Sequence, residues 1–361
     1  MLTFHIHDTI SGDHLHEIRP VPDAVTWRAT ILGTGEARGA VMLRDADTGF
    51  SRSEARDLFT PHARMLCVRE GAHVGFAGVI QGIPAYSFKT GALSFQAVEF
   101  PRVWDDRYTF GVDAYEFGDL SFTGKSAAGA VRAWLDRGMQ HGNSEWAYPV
   151  DLPADGAGGF SEDVRYEQDM RISDGLQRIA SQGYEIHHRP YIHASGALRF
   201  QIVVASRVVY DETDLPLSVE ESAIIDPSVA LSGRNQVTGV LGRGNGSGPE
   251  DPITRHAPDP IESPIIPIRD VIRVDSTILD GTALQRFANA EYARDRFPVE
   301  QWSMGVRLSD EVPLSAVQPG QILNVDVRGD SWVADGNHPM RVIALSGNAS
   351  ESVSVEVQPY A

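Results

Sequence analysis

The chain has 361 residues, 42 % hydrophobic and 22 % charged, which is material for two or three domains that each bury a core. Its 49 acidic and 31 basic side chains leave a formal net charge of -18, which repels duplex DNA over most surfaces, and no basic patch reverses this locally. No basic segment followed by an apolar core opens the chain, no stretch is long and apolar enough for stable membrane insertion, and the single cysteine, Cys67, cannot form an internal disulfide.

Strand candidates fill residues 1–110: Phe4–Asp8, Val25–Leu32, Gly39–Arg44, Arg64–Glu70, His73–Gly82 and Ala92–Phe100, separated by Gly, Pro, Asp or Ser. Gly71-Ala72 is a hairpin site, because glycine tolerates positive φ. Arg52–Phe59 reads as a helical turn or a loop. A small barrel or sandwich is the natural way to bury so many half-apolar strands.

Residues 111–215 change character. Ser126–Met139 places Ala127, Val131, Trp134, Leu135 and Gly138 on one side of a helix, and a turn-rich stretch, Asp151–Ser161, follows. Ile172–Gln182 is a second helix with Ile172, Leu176 and Ile179 facing together, ended by Gly183. Strands Tyr184–His188 and Ala197–Val204, joined around Ser195-Gly196, complete a small α/β domain inserted between two β regions.

Residues 216–361 return to strands. Asn235–Leu241 leads into a glycine-dense loop, Gly242 to Gly248, and the proline-rich loop 249–267 holds six prolines without a regular period. Thr282 and Gln285 form a capping box for a late helix over 283–297, with Leu284, Phe287, Ala288 and Tyr292 on its apolar side and Pro298 as its stop. Gln301–Leu308, Gln321–Arg328, Met340–Ser346 and Ser350–Val357 alternate as strands with one buried face do. The expected fold is mixed and β-dominated, without the crossovers of a doubly wound nucleotide-binding core.

Several segments imitate functional motifs. Gly33-Thr34-Gly35-Glu36-Ala37-Arg38-Gly39 follows a strand like a dinucleotide-binding turn, but its final glycine is one residue late and Val41–Asp45 reads as strand where a helix N-terminus is needed. Gly118 to Gly124-Lys125-Ser126 has five residues where a phosphate loop needs four, and Asp119 would repel phosphate; a helix start is the simpler reading. His5/His7 and His14/His16 have the i,i+2 spacing of one strand face, whereas His187 and His188 point to opposite faces, and His193 stands nearby. A zinc site would need further ligands and partners, so solvated or interface histidines explain the pattern more simply. Adjacent acids, Asp105-Asp106 and Glu162-Asp163, do not specify the separation that carboxylate catalysis requires. Trp27, Trp104, Trp134, Trp146, Trp302 and Trp332 are dispersed without a period, as core or interface anchors are. No catalytic, cofactor-binding or metal-binding residue is assigned, and no cofactor is expected.

The order of these pieces resembles the hub-like minor tail proteins of long-tailed bacteriophages, whose architecture contractile-tail baseplate hubs share. Four stretches carry the likeness: Trp27–Leu32 with the strands through Phe76–Ile80; Ser173–Ala180 with Gly183–Ile186 and Gly196–Phe200; Asn235–Gly244; and Leu284–Phe297 followed by Val317-Gln318-Pro319-Gly320-Gln321-Ile322-Leu323-Asn324-Val325. The resemblance implies two tube-like β-barrel or sandwich domains, 1–110 and 216–361, flanking the inserted α/β domain 111–215. It implies a virion protein, made in the host cytoplasm and located at the tail tip or baseplate, forming a homo-oligomeric ring, usually a trimer. Such a ring joins the tail tube to the distal tip and leaves a channel for genome passage. The implied partners are the distal tail or tail-tube ring, the tape-measure protein and downstream tip or receptor-binding proteins, with no sequence-specific nucleic acid binding. No separate hydrolase insertion is visible, which points to a structural subunit and not an enzyme. The competing readings are a carbohydrate-binding or carbohydrate-cleaving tail protein, with tryptophans and paired acids in one groove, and a β-rich adhesin.

Overall fold

Alternating strands dominate the computed structural model, which describes residues 1–43, 51–109, 118–140, 146–216, 223–245, 254–256, 266–276, 278 and 280–360. The first part forms β1 (Thr3–Asp8), β2 (His14–Ile18), β3 (Thr26–Thr30), β4 (Glu36–Met42), α1 (Arg52–Leu58), β5 (Arg64–Glu70), β6 (His73–Tyr86) and β7 (Ala92–Glu99). The middle holds β8 (Leu120–Lys125), α2 (Ala127–Gly138), β9 (Val150–Asp151), β10 (Phe160–Val164), α3 (Ile172–Ala180), β11 (Glu185–Ile192) and β12 (Leu198–Ala205). The last part begins with β13 (Glu212–Pro216), β14 (Ile224–Ser232), β15 (Gly239–Arg243), β16 (Thr254–His256) and β17 (Asp270–Val274). It ends with α4 (Gly281–Asp295), β18 (Val299–Arg307), β19 (Ile322–Val327), β20 (Gly336–Gly347) and β21 (Ser352–Pro359).

The β regions at the two ends of the chain are halves of one 13-stranded sheet, ordered β14-β18-β21-β20-β3-β4-β7-β6-β5-β1-β2, with β19 also on β20 and β13 on β19. The seam is the antiparallel pair β3–β20, in register from Thr30↔Ala344 to Trp27↔Gly347. Both halves fill one apolar core: Trp27, Phe76 and Phe95 come from the first, Trp302, Val342 and Val355 from the second.

The inserted unit is built on its helices. Trp134 and Leu135 of α2 meet Ile172 and Ile179 of α3, and Phe100 stacks on Phe200 with ring centroids 4.0 Å apart. The helices approach so closely that a Cβ on Gly175 would lie 2.2 Å from the Trp134 ring, so only glycine fits there. The same core takes in Met65, Cys67, Ala77 and Val79 from the outer face of β5 and β6, which docks the unit against the large sheet. Cys67 is fully enclosed in that joint, and burial pushes its thiol up to about 12, out of reach of thiolate chemistry.

A third layer departs from the sequence-based expectation. The late helix packs on its own three-stranded sheet, β16-β15-β17, where Ala288 and Tyr292 meet Val237, Val240 and Val271. Its start is also different: Asp280 is the cap, its carboxylate accepting the Ala283 N–H at 2.7 Å, and not Thr282, because Asp280 holds the extended conformation one residue before the helix. Arg286 ties this layer to the end of the inserted unit by donating to Gln182 Oε1 at 3.0 and 3.2 Å.

Other elements shift or appear. Arg52–Leu58 is a helix and not a loop, closed by a Ser51–Glu54 capping box. The strand expected at Gly39–Arg44 begins earlier, at Glu36, and that expected at Asn235 begins at Gly239, so Gly242 and Arg243 belong to the strand and not to the loop. The sequence pattern gives no strand at β2, β8, β9, β10, β13, β14, β16 or β17. The proline-rich loop 249–267 lies largely outside the described residues, as does the glycine loop beyond Asn245.

Candidate assembly surface

The nucleotide-like motifs are occupied by the chain's own groups. The turn after β3 ends at Gly35, where a Cβ would come 1.9 Å from the Arg28 carbonyl oxygen. The Glu99 carboxylate accepts the Gly35 N–H at 2.5 Å and the Thr30 N–H at 3.2 Å, using the amides a pyrophosphate would need. Burial raises Glu99 to about 8, and its two backbone contacts lie beside the β3–β20 seam. At the second motif, Ser126 caps α2 by accepting the Gly129 N–H at 3.0 Å, and Lys125 Nζ lies 2.5 Å from Asp155 Oδ2. That ion pair is solvent-facing, so Lys125→Ala is expected to leave melting temperature and oligomeric state near those of the parent, as native mass spectrometry and thermal unfolding will read.

Three histidines do converge. β1 and β2 form a hairpin in which His5 Nδ1 lies 3.0 Å from His14 Nε2, and His7 Nδ1 donates to the Gly12 carbonyl at 2.9 Å. His7 Nε2 is then a buried acceptor with no donor among the described residues. Burial, with Arg69 and the other rings close by, lowers His5 to about 4; burial lowers His7 to about 4 and lowers His14 as well. Asp13 faces His7, and His16 and Glu17 face His14. No group of three or more His, Cys, Asp or Glu able to hold a metal ion occurs among the described residues. The unfolded chain takes up protons below pH 6.5 where the native hairpin does not, so stability falls as pH drops from 6.5 toward 4. His7→Gln is expected to remove roughly 2 kcal/mol of that fall, read from urea unfolding at pH 7 and pH 4.5; an unchanged slope would refute the assignment.

His187 and His188 diverge as their strand requires. His188 Nε2 accepts from the Trp104 indole at 2.8 Å in the inserted core, while His187 Nδ1 meets the Tyr210 hydroxyl at 2.8 Å on the other side. His193 caps its own turn through Ser195 at 2.9 Å. The acidic pairs are also tied up: Arg102 binds Asp105, Arg178 lies 3.1 Å from Glu162, and Arg165 lies 3.6 Å from Asp163. Trp27, Trp104, Trp134 and Trp302 are fully buried, and Arg107 stacks 4.2 Å over Trp146. Trp332 alone of the six is strongly exposed, at 79 %.

Where the chain has unsatisfied reach is at its edges and seams. β14 and β2 stand at the two ends of the large sheet, each paired on one side only among the described residues. β14 carries a bulge between Ile225 and Ser228, Asp226 at φ 44°, and Pro227, features that limit indiscriminate strand pairing. Leu231 on β14 and Leu15 on β2 are exposed, as are Ile272 and Val274 on β17 and Ile268 just before it. Inside, Arg341 of β20 grips Glu185 of β11 at 2.5 and 2.9 Å, locking the inserted unit to the sheet, and Glu185 also accepts the Val208 N–H at 2.7 Å. These groups build a braced body with strand edges that are unpaired among the described residues.

No protein-family model matches the chain, and no curated protein matches it. Solved structures do. The 43 kDa tail protein of prophage MuSo2 from Shewanella oneidensis is similar over 98 % of this chain and 98 % of its own, with 12 % identity and a TM-score of 0.62. A tail protein from Neisseria meningitidis MC58 is similar over 99 % of this chain and 96 % of its own, with 14 % identity and a TM-score of 0.59. The E. coli c3393 protein, a type VI secretion component described as structurally similar to the T4 tail proteins gp27 and gp5, is similar over 95 % of this chain and 75 % of its own, with 10 % identity and a TM-score of 0.51. The chain therefore has the β-rich fold of hub-like phage tail proteins.

Proposed function

We propose that this chain is a structural subunit of a phage tail tip or baseplate hub, acting without catalysis. In this reading three copies close into a ring between the tail tube above and the distal tip below, around a channel that passes the genome. Residues 1–110 and 216–361 supply the two tube-like β modules of each subunit, and 111–215 supplies the inserted unit. The ring adjoins the tail-tube ring and the tape-measure protein on one side and tip or receptor-binding proteins on the other, in the virion.

The observation that carries this reading is the continuous sheet running through both ends of the chain. Its β3–β20 seam joins both halves in one plate, and its terminal strands β2 and β14 keep free backbone edges among the described residues. A closed ring satisfies such edges with neighbours and removes an aggregation hazard at the same time. The full-length likeness to tail proteins supports the same reading, and the net charge of -18 suits a channel wall that nucleic acid must pass without sticking. Native mass and negative-stain images of the purified chain at assembly concentration test it. Rings of three with an axial opening are expected, and charge substitutions along β2 or β14 are expected to break them; a persistent monomer overturns the reading.

A further inference from the structure

The β19–β20 connection is constructed to hold one large apolar side chain in solvent. Asp330 Oδ1 accepts the N–H groups of Trp332 and Val333, each at 2.7 Å, and Asp335 Oδ1 accepts the Gly329 N–H at 2.6 Å. Val333 packs against the core beneath, while Trp332 projects with 79 % of its surface exposed. A tryptophan on a turn whose backbone is held this way can bury roughly 200 Å², which is the character of an interface hot spot. The tip is acidic, because neither Asp330 nor Asp335 has a cationic partner among the described residues.

Elsewhere the same chain exposes a surface of matching chemistry. Among the described residues, the sheet of β15 and β17 is covered by α4 on one side only. On the other side Leu241 pairs with Ile272 and Arg243 with Val274, and Ile268 precedes them. Ile268, Ile272 and Val274 are 70, 56 and 62 % exposed. Arg243 lies on this face, as the exposed Asp270 does, and Arg269 just before β17 donates to the Arg234 carbonyl at 3.3 Å; Arg234 and Arg243 have no carboxylate partner among the described residues. An apolar face with arginines that lack a carboxylate partner complements an apolar finger flanked by aspartates that lack a cationic one.

We propose that the Trp332 loop of one copy seats on the open β15–β17 face of the next copy, which rests on the ring reading above. Finger and face are different surfaces, so the contact is head-to-tail, and a head-to-tail contact that closes generates a ring. One finger buries far less than the roughly 800 Å² per partner of a stable interface, so it fixes register while the strand edges supply area.

The test uses the full chain. Trp332→Ala and Ile272→Glu each raise the concentration needed for half-assembly at least tenfold, with melting temperatures near that of the parent because both side chains are exposed. An equimolar mixture of Trp332→Cys and Ile272→Cys chains, treated with a short bismaleimide, yields cross-linked dimers that neither variant yields alone; Cys67 is buried and stays out of the reaction. Rings that form without this cross-link, and that tolerate Trp332→Ala, overturn the contact and leave the ring standing. A chain that is monomeric at every concentration overturns both. Intact Trp332→Ala rings that no longer bind another tail protein assign the finger to that protein and also overturn the proposal.

Discussion

Trp27→Ala is expected to lower the free energy of unfolding by about 3–5 kcal/mol. Trp27 is buried at the seam, opposite Gly347 on β20, and its indole donates to the Asn348 carbonyl at 3.1 Å. Two glycines bound its ring: a Cβ on Gly347 would come within 2.7 Å of it, and one on Gly75 within 3.1 Å. With alanine at 27 those glycines have no side chains to move into the vacated volume, so the cavity persists and the effect falls toward the upper end of the range. The substitution also weakens the join between the two halves of the sheet. Chemical denaturation followed by fluorescence of the remaining tryptophans reads the loss; a change under about 1 kcal/mol would show that the seam does not depend on this ring.

Arg341→Ala is expected to destabilise by a similar amount, about 3–5 kcal/mol, for an electrostatic reason. Arg341 is 4 % exposed and holds a largely buried Glu185 through two hydrogen bonds. Removing the guanidinium leaves the carboxylate largely shielded from water, with the Val208 N–H and the nearby charge of Arg207 as weaker compensation. Replacing both partners with apolar residues, Arg341→Met with Glu185→Leu, removes both desolvation penalties and is expected to restore most of the stability. Urea unfolding of the single and double variants separates the two explanations, since a packing defect would make the double variant worse. Because the pair bridges β20 and β11, limited proteolysis of Arg341→Ala should show faster cleavage within 111–215.

The parts legible in the sequence were those whose period is enforced by a buried face. Ile172, Leu176 and Ile179 share the buried side of α3, Gly183 takes φ 90° just beyond it, and the closing strands lie within a few residues of their expected limits. The edge strands were not legible. His14–Ile18 is mostly exposed, Glu212–Pro216 is largely polar, and Ile224–Ser232 contains Pro227, so none shows the alternation of a half-buried strand. The late helix was found with the wrong cap because Asp280 and Thr282 both satisfy a capping pattern, and backbone conformation chose Asp280. Among the candidate site residues, the histidine hairpin was visible as spacing alone; the orphaned His7 nitrogen follows from how β1 and β2 pair. The exposure of Trp332 had no signal that distinguished it from the five other tryptophans.

Composition and periodicity were enough to specify a β-rich chain with an α/β insertion, because each buried face must repeat at the pitch of its own backbone. Which strands pair was a matter for the folded molecule. Backbone N–H and C=O groups bond to any strand of suitable register, so the joining of Thr26–Thr30 to Gly336–Gly347 is selected by the side chains that meet in the shared core. The same long-range choice seats Gly281–Asp295 on its own small sheet and leaves Ile272 and Val274 on the far side of that sheet exposed.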